Sequence, residues 1–117
     1  MQLHEIVYSD AKPVDGYGPG FFRVGGERHD GPMLLLADRV AAWEGLEDIA
    51  PLKAVAGQAD VVLFGMGVEM RPVPADLRQA LEAAGLGVEP MSSPSACRSY
   101  NILVAEGRRV VLAALPV

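Results

Sequence analysis

From residue 33 onward, short apolar runs alternate with segments whose apolar residues have helical spacing. The clearest run, 60–65, is apolar throughout its middle, as expected of a strand that is covered on both faces. The segment that follows Pro74 keeps the i, i+3, i+4, i+7 spacing of an amphipathic helix and ends near Gly85. Strands that alternate with helices indicate crossover connections. The sequence therefore predicts an α/β fold with a mostly parallel sheet.

The other elements of this part are bounded by proline and glycine. Pro51 lies inside a helical pattern at about 46–56, so that helix either begins near Asp48 or divides into two short pieces. Ser93 and Pro94 are predicted as the N-cap and first turn of the last helix, which runs to Glu106 before Gly107. The predicted strands are 33–36, 60–65, 87–91 and 109–115.

The first thirty residues are rich in glycine and favour an antiparallel section. Strand propensity is high at 6–8 and 21–24. Gly25-Gly26 and Asp30-Gly31 can turn the chain back toward Met33. An N-terminal hairpin section is therefore expected beside the α/β part.

Composition limits the class of protein. The 117 residues are expected to form a single domain, 1–117, and the net charge of −5 argues against nucleic-acid binding. A lone cysteine excludes a disulfide scaffold, and no residues have the spacing of metal ligands, so no metal site is predicted. No membrane span or N-terminal targeting segment is recognised, and a cytoplasmic location is expected.

A candidate ligand site follows from the position of two loops. In α/β sheets, ligands bind outside the carboxyl ends of parallel strands, and the loops after 60–65 and 87–91 should meet at that edge. Helix N-termini and arginine can hold an anion there. The candidate residues of this small-molecule or anion site are Gly65, Gly67, Ser93, Ser95, Cys97 and Arg98.

Each of these residues also has a structural interpretation. Gly65-Met66-Gly67 lacks the third glycine of a dinucleotide-binding loop, so a turn or a close approach is favoured and no cofactor is predicted. Cys97 is either a reactive thiolate or, as is favoured, a packed core residue. Arg98 either holds an anion or pairs with Glu69 or Glu89. No catalytic residue is assigned.

Four further residues each have a functional and a structural interpretation. Tyr100 and Asn101 either extend a polar site or satisfy buried backbone groups, and the sequence does not separate these roles. His29 is expected in a solvated loop and not as a metal ligand. Trp43 is expected in the core or at its rim, although an exposed Trp43 would mark an interface.

Three blocks, 16–24, 64–67 and 96–108, resemble one family in this order. It is a small single-domain family of unknown function that includes bacterial proteins and the mitochondrial respiratory complex I assembly factor. The resemblance implies a three-layer α/β fold with a central mixed sheet and no established enzymatic activity. The glycine loop usually reads Gly-Thr-Gly in that family, so Met66 replaces a hydroxyl here and weakens a catalytic interpretation.

Two functions follow as hypotheses. The first is a non-catalytic interaction or assembly factor, whose protein partner, by the resemblance, belongs to a respiratory complex; it predicts an exposed apolar patch that includes Trp43, Phe21 or Phe22. The second is a small-molecule or anion-binding domain, with or without enzymatic activity, that uses the candidate residues given above. Oligomeric state is not determined by the sequence.

Overall fold

The computed structural model describes residues 11–117 and contains eight strands and three helices in that range. The predicted strand at 6–8 lies outside the described residues. The strands are β1 Val14–Gly18, β2 Phe21–Val24, β3 Glu27–Asp30, β4 Met33–Leu36, β5 Arg39–Ala41, β6 Val61–Met66, β7 Gly87–Met91 and β8 Val110–Leu115. The helices are α1 Ile49–Lys53, α2 Ala75–Ala83 and α3 Ser93–Ala105.

The strands form two sheets. A three-stranded antiparallel sheet has the order β1-β2-β3, and a five-stranded mixed sheet has the order β5-β4-β8-β6-β7. In the larger sheet, β6 is parallel to both β7 and β8, whereas β4 is antiparallel to both β5 and β8. The mixed α/β fold and the antiparallel N-terminal section are thus confirmed. The strand at 33–36, however, is antiparallel to both of its neighbours and not part of a parallel crossover.

Side chains of the central sheet alternate between two apolar cores, as the period of two in a strand requires. Leu34, Leu36, Val62 and Phe64 face the core beneath α1 and α2. Met33, Leu35 and Leu63 face the opposite core, which α3 and the small sheet cover. This arrangement is the expected three-layer organisation, with the small sheet sharing the outer layer of α3.

Helix boundaries correct two predictions by one residue. Asp48 is the N-cap of α1, which places Pro51 in the first turn and confirms the helix start near Asp48 rather than a division into two pieces. Pro74 is the N-cap residue of α2 rather than its first helical residue. Ser92, and not Ser93, caps α3, and its Oγ accepts a hydrogen bond from the Ser95 N–H at 3.3 Å.

Three short strands were not predicted from the sequence. β1 and β3 flank β2 in the small sheet, and β5 pairs with β4 at the edge of the central sheet. β3 also corrects the placement of His29, which lies in a strand and is half-buried rather than in a solvated loop.

Candidate functional site

The carboxyl ends of β6 and β8 meet the beginning of α3, as the sequence predicted for this edge. Gly65 lies opposite Ala114 of β8 on one side and Met91 of β7 on the other. The Ser93 N–H donates a hydrogen bond to the Gly67 carbonyl at 2.7 Å. Gly65, Gly67 and Ser93 are therefore brought together at one place.

Gly65 leaves no room for a side chain. An ideal Cβ on this residue would lie 2.7 Å from Ser93 Oγ, 2.8 Å from Ser93 Cα and 3.1 Å from the Ala114 Cβ. Gly67 has a φ of +94°, a conformation that L side chains rarely adopt. The favoured interpretation of these glycines is confirmed. Gly65 allows the close approach of Ser93, and Gly67 adopts a positive φ.

Ser93 connects three elements. Its Oγ accepts a hydrogen bond from the Gly67 N–H at 2.9 Å and donates one to the carbonyl of Leu115 at the end of β8. The residue is 1% exposed. The Ser93 hydroxyl and the Gly67 N–H are hydrogen-bonded to each other. These polar groups are therefore used inside the fold and do not face solvent. We call this set of bonds the Ser93 clip.

Ser95 and Arg98 lie one helical turn apart on the outer side of α3. The Arg98 guanidinium donates a hydrogen bond to Ser95 Oγ at 3.3 Å, and Arg98 is exposed. Within residues 11–117, Arg98 forms no ion pair with Glu69 or Glu89, so the predicted surface pair is absent there. The role of this pair in anion binding stays a prediction.

Cys97 faces the core that α3 shares with the small sheet. It is 3% exposed and packs in the same cluster as Tyr100 and Val104. Burial raises the pKa of the Cys97 thiol from 9.0 to about 11, and the positive charge of Arg98 only partly opposes this. The thiol is thus protonated at neutral pH, as expected of a packed core cysteine and not of a nucleophile.

Asn101 has a structural role between α3 and β1. Its side-chain carbonyl accepts a hydrogen bond from the Val14 N–H at 2.8 Å, and its amide donates one to the Val14 carbonyl at 3.0 Å. Asn101 therefore satisfies both backbone polar groups of Val14, which decides for this residue between the two roles that the sequence left open. No group of three or more potential metal ligands occurs within residues 11–117.

The aromatic residues expected in an exposed patch are mostly buried. Phe22 is 0% exposed and Trp43 is 4% exposed, with the indole N–H donating to the Asp48 carbonyl at 3.1 Å. Phe21 is half-buried beneath Arg28, whose guanidinium carbon lies 4.1 Å from the ring centroid. Trp43 and Phe22 therefore do not contribute to an exposed patch, Trp43 is a core residue as expected, and Phe21 is only partly exposed.

Other large apolar side chains are exposed. Val68 and Met70, in the loop after β6, are 73% and 63% exposed, and Ile102 on α3 is 60% exposed. Sequence reasoning missed this loop, which we call the apolar loop (residues 68–70). A signal was present, because two apolar residues stand between Gly67 and Pro72 with no strand or helix to bury them.

Comparison with known proteins gives relatives over nearly the full chain. An uncharacterised protein of Rhodobacter capsulatus is 49% identical over 116 residues, which cover 99% of this chain and 94% of that protein. The rat NADH dehydrogenase [ubiquinone] 1 alpha subcomplex assembly factor 3 is 27% identical over 123 residues. That alignment covers 99% of this chain but 66% of the rat protein.

A solved structure has the same fold. The crystal structure of an outer membrane protein from Bartonella henselae matches with a TM-score of 0.84 and 31% identity, covering 92% of this chain and 96% of that one. In the part of this chain that the structure describes, no helix is long and apolar enough to cross a membrane.

The family match spans both sheets and all three helices. Residues 14–115 match the family described as protein of unknown function (DUF498/DUF598). This range runs from the start of β1 to the end of β8 and contains the Ser93 clip and the apolar loop. The chain therefore belongs to the DUF498/DUF598 family of proteins of unknown function.

Proposed function

We propose that this chain is a non-catalytic protein-interaction factor that assists the assembly of a protein complex. The observation that carries the proposal is the exposure of both Val68 and Met70, which are separated by Glu69 in one loop. Several exposed apolar side chains in one short loop are typical of interaction sites, whereas single ones are common on any surface.

The polar groups near this loop support a structural rather than a catalytic role. The Ser93 hydroxyl bonds Gly67 and Leu115, and the thiol of Cys97 is buried. A nucleophile needs an accessible, activated group with a base within reach, and neither residue has that environment. The clip instead holds the start of the apolar loop against the end of β8.

The class of partner is proposed from the relatives. The rat protein is named as an assembly factor of an NADH dehydrogenase, so a respiratory-complex subunit is the partner class that we propose for this chain. A cytoplasmic location forms part of the same proposal, whereas the Bartonella relative is named an outer membrane protein.

A double variant of the loop tests the proposal. Val68→Ser with Met70→Ser should abolish recovery of a specific partner from lysate of the native host, because both apolar contacts are lost, while the midpoint of unfolding stays within experimental error. Gln79→Ser, on the exposed side of α2, is the matched control. The same partner recovered at the same yield by the double variant would contradict the role of this loop.

A further inference from the structure

The sulfur atoms of this chain are distributed unevenly between core and surface. Met33 is fully buried, Met66 is 8% exposed, and Met91 is half-buried against the core that α3 and the small sheet cover. Met70, in the apolar loop, is 63% exposed, and it is the one methionine among residues 11–117 that lies largely in solvent. A peroxide in solution therefore reaches Met70 more easily than the other described methionines.

The single cysteine does not compete with Met70 for a peroxide. Cysteine reacts with peroxides as the thiolate, and its susceptibility follows thiolate character and exposure. Cys97 is buried, and its raised pKa keeps the thiol protonated at neutral pH. Among the residues that the structure describes, Met70 therefore carries the sulfur that a peroxide meets first.

The reaction at such a sulfur is the transfer of one oxygen atom. The thioether attacks one oxygen of hydrogen peroxide, an S=O bond forms as the O–O bond breaks, and the second oxygen leaves as water. The sulfur loses two electrons and the peroxide gains them. The product, methionine sulfoxide, is polar, and thiol-dependent reductases return it to the thioether while two thiols become a disulfide and the oxygen leaves as water.

The chain is anchored on both sides of the apolar loop. On one side, the N–H and the carbonyl of Gly67 are both hydrogen-bonded to Ser93. On the other side, Val73 is buried in the core beneath α1 and α2. Met70 belongs to neither core. Oxidation of a core methionine disrupts packing, whereas oxidation at this position changes a surface and leaves the packed residues in contact.

We propose that Met70 is a reversible oxidation site for hydroperoxides, and that its oxidation switches the apolar loop from a binding surface to a non-binding one. Of the two large apolar side chains of the loop, only Val68 then remains. The sulfoxide adds a polar group that an apolar partner surface would have to desolvate. The effect on binding rests on the proposed function, whereas the oxidation of Met70 does not.

Peptide mass spectrometry of the peroxide-treated full chain tests the selectivity. In the folded protein, Met70 should gain oxygen about tenfold faster than Met33 or Met66, because both of those are buried. In urea the described methionines should react at similar rates, which controls for intrinsic reactivity. Met1, outside the described residues, is followed in its own peptide. Oxidation of Met33 or Met66 as fast as Met70 in the folded protein would overturn the proposal.

Retention on a phenyl column then measures the apolar character of the folded surface. Peroxide should shorten the retention of the unaltered chain, while the midpoint of thermal unfolding stays within experimental error. Met70→Leu keeps the apolar volume without the sulfur, so its retention should not respond to peroxide. Met70→Gln, with a polar and neutral side chain, should elute early without peroxide.

Methionine sulfoxide reductases with dithiothreitol should restore the retention of the oxidised chain. Unchanged retention after complete oxidation of Met70, or retention that the reductases do not restore, would overturn the proposal. A response of the same size in Met70→Leu would assign the change to another residue and overturn it as well.

Recovery of the partner separates the switch from the proposed function. If Val68→Ser with Met70→Ser abolishes recovery, the chain oxidised at Met70 should recover about fivefold less partner, and Met70→Leu should be insensitive to peroxide. Equal recovery by the oxidised chain would overturn the switch and leave the proposed function intact. If the double variant recovers the partner at full yield, the proposed function and the effect on binding both fail, whereas the mass spectra and the column still decide whether Met70 is the oxidation site.

Discussion

At position 65 the chain accepts glycine alone, because the first residue of α3 packs directly against its Cα. Gly65→Ala would put a methyl group 2.8 Å from the backbone Cα of Ser93, which cannot move without α3. We expect a loss of about 1–3 kcal/mol in the free energy of unfolding, as for other overpacked sites. Urea unfolding measures this loss.

Gly16→Ala is the matched control for this substitution. A Cβ at Gly16 meets nothing within 4 Å, and its φ lies outside the positive range. The control should therefore change the free energy of unfolding by less than about 0.5 kcal/mol. Equal effects of the two substitutions would show that the contact with Ser93 does not constrain position 65.

The thiol of Cys97 gives a prediction with a defined pH dependence. Because burial raises its pKa from 9.0 to about 11, the thiolate is scarce at pH 8 and forms only as the pH approaches 11. Iodoacetamide should therefore label the folded protein slowly at pH 8 and faster toward pH 11, whereas urea-unfolded protein should be labelled readily at pH 8 to 9. Rapid labelling of the folded protein below pH 8 would mean that Cys97 is accessible and reactive.

At the scale of elements, the Ser93 clip joins the loop after β6, the start of α3 and the end of β8. Ser93→Ala would leave the Gly67 N–H and the Leu115 carbonyl without this partner. A buried group without its partner costs about 1–3 kcal/mol, so we expect a loss of that size in the free energy of unfolding.

Ser95→Ala provides the comparison within the same helix. Ser95 Oγ accepts a hydrogen bond from the exposed Arg98, and such surface contacts contribute little. Thermal unfolding of the two variants should separate them clearly, with Ser93→Ala the less stable. If the Ser95 variant were equally destabilised, the clip would not be the contact that fixes this edge.

Elements with a strong apolar period were predictable from the sequence. α2, α3, β6, β7 and β8 lie within about two residues of their predicted positions, since each has an apolar pattern bounded by proline, glycine or a capping residue. β3 was missed because Glu-Arg-His-Asp has little strand propensity and forms a strand through the Gly25-Gly26 turn and its register with β2. The direction of β4 was also missed, because its pairing with β8 is a long-range contact that no local pattern encodes.

Part of the candidate site followed from the sequence as well. The rule that loops meet at the carboxyl edge of parallel strands correctly brought Gly65, Gly67 and Ser93 together. The direction of the Ser93 hydroxyl was not predictable, because a shift of one residue in the N-cap decides whether it faces solvent or the end of β8. The burial of Trp43 was expected from the sequence and is confirmed, whereas the exposure of the apolar loop depends on the packing of the whole chain.

At the scale of the whole molecule, both faces of the central sheet are covered. Few large apolar side chains remain exposed to solvent. α1 and α2 cover one face, and α3 with the small sheet covers the other. Among the described residues, Val68 is the most exposed of the large hydrophobic side chains that the structure leaves in solvent. Val68 and Met70 are exposed in the same loop of a fold that buries most of its large apolar side chains, and such a place is expected to be used for binding.

The most direct test of the interaction function places a photo-crosslinking amino acid at position 68 of the full chain and illuminates the protein in cells of its native host. We expect one partner to be crosslinked reproducibly from position 68 and not from position 79 on the exposed side of α2. Identification of the product by mass spectrometry then states whether it is a respiratory-complex subunit. No crosslinked protein from position 68, or the same set of proteins from positions 68 and 79, would contradict the account.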